Sequence, residues 1–131
     1  MELFNGLRGV VASMKRVGEG LITLSRTAEG ELRIVRSPKD VIELWKEGAA
    51  GKIVLVEDAG VTTLGPILPK LAGVVCTSGG IGSHLAIVSR EFSIPALMGT
   101  RINGLQLEDL NRKRAMIRPC GNTIGELIIT D

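Results

Sequence analysis

"GVVCTSGGIGSHLAIVSREFSIPALMG", residues 73–99, reads as four pieces in a fixed order. "GVVCT" is a short continuous apolar run, the pattern of a strand buried on both faces. "SGGIGSH" follows as a glycine turn. "HLAIVSREF" has helical spacing, with Leu85, Val88 and Phe92 at i, i+3 and i+7 forming one apolar stripe that can pack on a sheet. "IPALMG" is extended again. Upstream, "KIVLVE" (52–57) is a second buried strand, joined to the first by "LGPILPKLAG" (64–73), a proline-bounded short helix or a pair of turns. Strand, crossover, strand in that order implies a βαβ unit with a parallel pair, and an α/β fold.

The flanks extend this frame. "SPKDVIELWKEGAAG" (37–51) predicts a helix with Ser37 as N-cap, Pro38 in the first turn, Val41, Ile42 and Trp45 on the apolar side and Gly48 as the stop. From Gly9 to Val35, the runs "GVVASMK", "GLITLSR" and "ELRIVR" read as short strands, with Gly18, Gly20 and Gly30 as turn positions. "RAMIRP" and "GELIIT" predict two more strands around the turn "CGNT". No internal repeat or low-complexity segment interrupts the 131 residues, a length that suits one domain, 1–131, with its own core.

Composition narrows the function classes. The chain is 44% hydrophobic with two phenylalanines, one tryptophan and no tyrosine, so stacking on bases is not on offer. Sixteen basic and fourteen acidic residues are interspersed along the chain, giving a net charge of +2. That balance argues against a nucleic-acid or membrane partner. Cys76 and Cys120 lie far apart in apolar surroundings without a C-x-x-C pair, and the single histidine leaves no metal-ligand set. Both read as buried free thiols of a reducing compartment. The opening "MELFNGLRGVVASMKR" has neither a long apolar core nor a cleavage signature, and no apolar run reaches the roughly 18 residues of a membrane span; a cytoplasmic location is expected.

The chemistry gathers at the glycine turn. Between a buried strand and a helix, such a turn presents backbone N–H groups, and the helix dipole adds partial positive charge there, which makes a cradle for phosphate. A P-loop needs a lysine after its glycines, and the dinucleotide fingerprint needs a glycine where Leu85 stands; neither motif is present. Instead the chain's only histidine, His84, opens the helix. Imidazole has an unperturbed pKa of about 6.5 and attacks phosphorus when neutral. A histidine at a helix start also serves simply as a surface or capping residue, and the physics of the loop leaves both roles open.

"TSGGIGSHLAIVSREFSIPALMGT" (77–100) resembles the phosphohistidine motif of the phosphoenolpyruvate (PEP)-utilising enzymes, approximately T-x-G-G-x-T-S/C-H-A-A-I-V-A-R-E-x-G-I-P-A-V-V-G. Thr77, Gly79, Gly80, Ser83, His84, Ala86, Ile87, Val88, Arg90, Glu91, Ile94, Pro95, Ala96 and Gly99 all fall in place. The resemblance runs from about Gly9 onward and implies a single swivelling β/β/α domain, a mixed sheet with packed helices. It implies His84 as the phosphorylated, catalytic residue, and Thr77, Gly79, Gly80, Gly82 and Ser83 as the phosphate-binding set, with Ser83 offering a hydroxyl to the phosphoryl oxygens. Arg90, off the face of His84, is expected in a structural ion pair. Pro95 and Gly99 are assigned to the backbone path.

Two positions depart from the pattern. Gly82 stands where most members have threonine, which removes a hydroxyl and any regulation by its phosphorylation. Leu85 replaces a small residue, and either crowds the site or offers an apolar docking surface. The family also implies what 131 residues cannot hold: an ATP-grasp nucleotide-binding unit and an acceptor or PEP-binding barrel. The expectation is therefore a phosphoryl-carrier component that is incomplete without partner subunits. It would be a stand-alone subunit, as the methionine start suggests, or a piece of a larger phosphotransferase. No cofactor is expected on this chain, Mg²⁺ and ATP being held by a partner, with pyruvate or a phenolic compound as acceptor. The rival expectation is a non-catalytic regulatory or anion-binding module that keeps the fold.

Overall fold

A computed structural model describes residues 14–58, 64–104 and 107–130. The run "GVVASMK" and the opening segment lie almost wholly outside them. Seven strands and two helices follow in the order β1 (Lys15–Ile22), β2 (Ala28–Ile34), α1 (Pro38–Glu47), β3 (Ile53–Val56), β4 (Gly73–Cys76), α2 (His84–Glu91), β5 (Ala96–Ile102), β6 (Arg114–Pro119) and β7 (Ile124–Ile129). The chain is mixed α/β, as expected. Its sheet, however, closes into a seven-stranded barrel, β1-β5-β4-β3-β2-β6-β7, with β7 pairing back onto β1.

The barrel has two halves with different origins. β2, β3, β4 and β5 pair in parallel, the predicted β3–β4 pair among them, with Ile53 opposite Gly73 and Val56 opposite Cys76. Parallel strands need crossovers. Here α1 joins β2 to β3 and α2 joins β4 to β5, whereas the described residues of the β3–β4 connection form turns and a 3-10 segment, Leu68–Lys70. β1, β6 and β7 bridge the two outer strands of this parallel half through antiparallel pairs, β5–β1, β1–β7, β7–β6 and β6–β2. Closure removes the free edges that an open sheet would leave.

Alternation along the parallel strands separates two apolar layers. Ile53, Leu55, Val75 and Leu97 join Val17, Ile22, Leu32, Ala115, Ile117 and Leu127 from the other strands, the filling of the barrel. Val54, Val56, Val74, Cys76, Ala96 and Met98 face the opposite way, and there they meet Val41 and Leu44 of α1 and Leu85 and Ala86 of α2. β3 and β4 are buried on both faces, which is why they read as unbroken apolar runs.

Both helices form for the reasons their sequences give, but the buried face of each differs from the expected stripe. Ser37 caps α1 by accepting from the Asp40 amide at 3.3 Å, Pro38 opens it, and Gly48 (φ 108) ends it. Val41 and Leu44 are the buried residues, while Ile42 and Trp45 are exposed. Arg33 of β2, buried beneath the helix, donates to both carboxylate oxygens of Glu47 at 2.7 and 3.0 Å, which ties the end of α1 to the sheet. In α2 the buried residues are Leu85, Ala86 and Ser89, and Phe92 is exposed.

Gly18, Gly20 and Gly30 are strand residues rather than turns. Small size is needed there for close packing: a Cβ on Gly20 would lie 2.6 Å from the Met98 carbonyl oxygen, and one on Gly30 would lie 2.0 Å from that of Gly51. Cys76 is buried as expected, but Cys120 is exposed, because "CGNT" is the turn between β6 and β7. No helix among the described residues is long and apolar enough to cross a membrane.

Candidate functional site

The predicted cradle lies where β4 ends and α2 begins, at the carboxyl end of the parallel strands, the usual place for ligands in α/β sheets. Thr77 continues the ladder by one step, its amide donating to the Val56 carbonyl at 3.1 Å. The chain then leaves the sheet. Gly79 adopts φ 71, a left-handed conformation that favours glycine. The Ser83 amide donates back to the Gly80 carbonyl at 3.1 Å, which closes a turn around Ile81 and Gly82.

Ser83 is the N-cap of α2. Its Oγ accepts from the Ala86 amide at 3.4 Å, and its carbonyl accepts from the Ile87 amide at 3.0 Å. This bond uses one lone pair of the hydroxyl oxygen and leaves its O–H available to donate to a phosphoryl oxygen. Of the amides that a first helical turn leaves free, those of His84 and Leu85 remain beside the cap. His84 is the first residue of the helix and its side chain is exposed, with exposed Ile81 before it and exposed Ile87 one turn on. The arrangement therefore sets a solvent-accessible imidazole at the positive end of a helix dipole, next to a glycine turn.

The two departures from the family pattern have different structural weights. Leu85 is only 2% exposed and packs in the apolar layer under α2, so it neither crowds the histidine from outside nor offers a docking surface. Gly82 has open space where a Cβ would stand and no positive φ, as has Gly80. Neither glycine is required by the fold itself.

Three residues support the turn through bonds that local sequence does not show. Gly99 lies on β5 with φ 57, at the point where the β1–β5 register shifts between Glu19–Arg101 and Leu21–Met98, the signature of a β-bulge. Its amide donates to the Ser78 carbonyl at 3.1 Å, and a Cβ there would meet the Gly79 carbonyl oxygen at 3.1 Å. The bulge thus supports the glycine turn from below; a glycine followed by threonine inside the strand pattern "ALMGTRI" was the available signal. Ser78 is the second contributor, through that carbonyl. Arg90 is the third: it donates from Nη1 to the Ile81 carbonyl at 3.1 Å, a bond to the loop where an ion pair was expected.

Beside the bulge lies an open cavity of about 370 Å³, lined by Glu19, Leu21, Met98, Gly99, Arg101 and Ile124. Shifted carboxyl groups lie away from the turn, on β2 and at the end of α1. A hydrogen bond from Lys52 to Glu31 (2.9 Å) and those from Arg33 to Glu47 hold both carboxyl groups below the usual range.

Residues 48–109 match the sequence profile of the "PEP-utilising enzyme, mobile domain". A chondramide synthase of Chondromyces crocatus is 36% identical over 90 residues, 69% of this chain and 2% of the relative. A probable phosphoenolpyruvate synthase of Archaeoglobus fulgidus is 31% identical over 91 residues, 70% of this chain and 11% of the relative. The phosphoenolpyruvate synthase of Aquifex aeolicus is 34% identical over 82 residues, 63% of this chain and 9% of the relative. The chain thus spans about a tenth or less of the length of these curated relatives. Among solved structures, a muramoyltetrapeptide carboxypeptidase from Oxalobacter formigenes aligns with a TM-score of 0.52 at 17% identity, over 90% of this chain and 50% of that one, a likeness of fold alone. With His84, its glycine turn and α2 inside the matched span, residues 48–109 belong to the family of PEP-utilising enzyme mobile domains.

Proposed function

We propose that this chain is a phosphoryl carrier in which His84 is transiently phosphorylated. The observation that carries the proposal is the placement of an exposed imidazole as the first residue of a capped helix, at the lip of a glycine turn, within the span that matches the family. A lone pair on an imidazole nitrogen forms the N–P bond while the bond from phosphorus to the donor's bridging oxygen breaks, and the departing oxygen keeps that electron pair. Loop amides and the helix dipole stabilise the negative charge on the transferred group. In the second half-reaction an acceptor oxygen attacks phosphorus and imidazole leaves, restored to its starting state.

Positioning and charge stabilisation dominate phosphoryl transfer, so a carrier needs only a nucleophile, a cradle and a docking face. The remaining machinery is assigned to partners: an ATP-grasp unit holding ATP and Mg²⁺, and an acceptor or PEP-binding unit supplying pyruvate or a phenolic compound. The barrel swivels or travels between them as one unit in the cytoplasm. Thr77, Gly79, Gly80 and Gly82 line the phosphoryl site. Ser83 contributes through its capped helix start and through an O–H that can donate to a phosphoryl oxygen.

Incubation with a cognate ATP-grasp partner and labelled ATP, or with phosphoramidate as a partner-free chemical donor, tests this reading. The expected product is an acid-labile, base-stable label on the wild type and none on His84→Ala. An unlabelled wild type, or equal labelling of His84→Ala, would refute it. Phosphate binding without labelling would instead favour the anion-binding module.

A further inference from the structure

Arg90 is where the geometry carries an inference beyond the carrier reading, on which it rests for its function. Ile81 sits between Gly80 and Gly82, two glycines with open space at Cβ and no positive φ. Backbone next to such glycines has wide conformational freedom, and nothing in their own packing removes it. The side chain of Ile81 is 53% exposed, so burial does not anchor the segment either. Two bonds hold it. One is the turn bond from the Ser83 amide to the Gly80 carbonyl, and the other is the Arg90 guanidinium on the Ile81 carbonyl at 3.1 Å. Arg90 lies in the last turn of the same helix that His84 opens, so the second bond straps the loop back along α2.

We infer that Arg90 is a positioning residue: it fixes the glycine turn against α2 so that the loop amides are already aimed when a phosphoryl group reaches His84. Arg90 acts through the Ile81 carbonyl. A guanidinium suits this task because its charge strengthens the bond to a neutral carbonyl and its planar fork loses little freedom on forming it. Preorganised donors stabilise developing charge without reorganising at the moment of transfer.

The test compares wild type, Arg90→Met and Arg90→Lys of the 131-residue chain in two measurements. Backbone ¹⁵N relaxation reads the order of residues 79–83 without any phosphodonor. Phosphoramidate labelling then reads the rate of phosphohistidine formation on His84 and, by ³¹P spectra, the phosphoryl environment. Arg90→Met should lower the order parameters of the loop and slow labelling about three- to tenfold, the population cost of one charge-assisted bond. It should also shift the ³¹P signal while the melting temperature stays near that of the wild type. Arg90→Lys, which keeps a cationic donor, should recover part of each effect. Loop order and labelling rate unchanged in Arg90→Met would overturn the inference, as would Arg90→Lys behaving like Arg90→Met in both measurements. A wild type that never labels refutes the carrier reading instead, and the relaxation comparison still decides whether Arg90 orders the loop.

Discussion

Replacing Gly99 by alanine separates the role of the bulge from that of the loop above it. A Cβ at φ 57 costs about 1–2 kcal/mol, the penalty of the left-handed region for an L-residue. The same Cβ would sit 3.1 Å from the Gly79 carbonyl oxygen, and relieving that contact moves Gly79 by a few tenths of an ångström, adding about 1 kcal/mol, the low end of overpacking costs. Any glycine-to-alanine change also stabilises by about 0.4–1 kcal/mol through the unfolded chain. Gly82→Ala receives that gain with neither cost, since its Cβ position is open and its φ is not positive. The unfolded-state term cancels between the two variants, leaving a difference of about 2–3 kcal/mol. A chain of this size shifts by about 4 °C per kcal/mol, so Gly99→Ala should melt about 8–12 °C below Gly82→Ala. Calorimetry or far-ultraviolet circular dichroism under identical conditions reads the gap. Labelling of His84 should fall in Gly99→Ala as well, because Gly79 is the residue displaced. Equal melting temperatures for the two variants would show that Gly99 neither carries strain nor supports the turn.

Other perturbations separate stability from chemistry. Leu85→Ala should cost about 2–4 kcal/mol in urea denaturation, as a truncation in a packed apolar layer, while labelling of the folded fraction stays within about twofold of wild type. Ser83→Ala removes the N-cap and should destabilise by about 1 kcal/mol, with a slower labelling rate as the first turn of α2 frays. Glu31 and Glu47 are held below the usual carboxylate range by Lys52 and Arg33, so their contribution to stability is complete above the ordinary value of about 4.3 and is lost as pH falls through the depressed folded values. Urea midpoints should therefore decline below about pH 4, and the Glu31→Gln, Glu47→Gln double variant should flatten that decline.

Much of the parallel half was legible because its signals are local. Ser37 and Pro38 open α1 and Gly48 ends it within one short segment, and "KIVLVE" and "GVVCT" announce strands covered on both faces. The loop before His84 was legible for the same reason. Barrel closure was not, since it depends on pairs such as Lys15 with Ile129, which no local pattern encodes. Gly18, Gly20 and Gly30 were misread because a glycine chosen for close backbone approach and one chosen for a turn look alike in sequence. Ile42, Trp45 and Phe92 were assigned to the core by spacing, yet α1 and α2 each lie against only one side of a curved barrel wall and bury a narrow face. The support given by Gly99 and Arg90 depended on which strand passes beneath the turn and where the helix lies, and both are tertiary facts.

The β1–β7 pair has a mechanical consequence. Because Lys15 lies opposite Ile129, the polypeptide enters and leaves the barrel side by side, so both connections to any larger host can depart from one attachment point. Inserting such a module disturbs its host little, and a single attachment point leaves it free to turn. The strand directions add a constraint: β1 starts, and β7 ends, on the rim toward which β4 and β5 run, which is the rim that carries His84. With the attachment and the imidazole on the same rim, the length of the barrel adds little lever arm. In any such host, the distance over which the imidazole could travel would be set by the length and stiffness of the linkers that join it to the barrel.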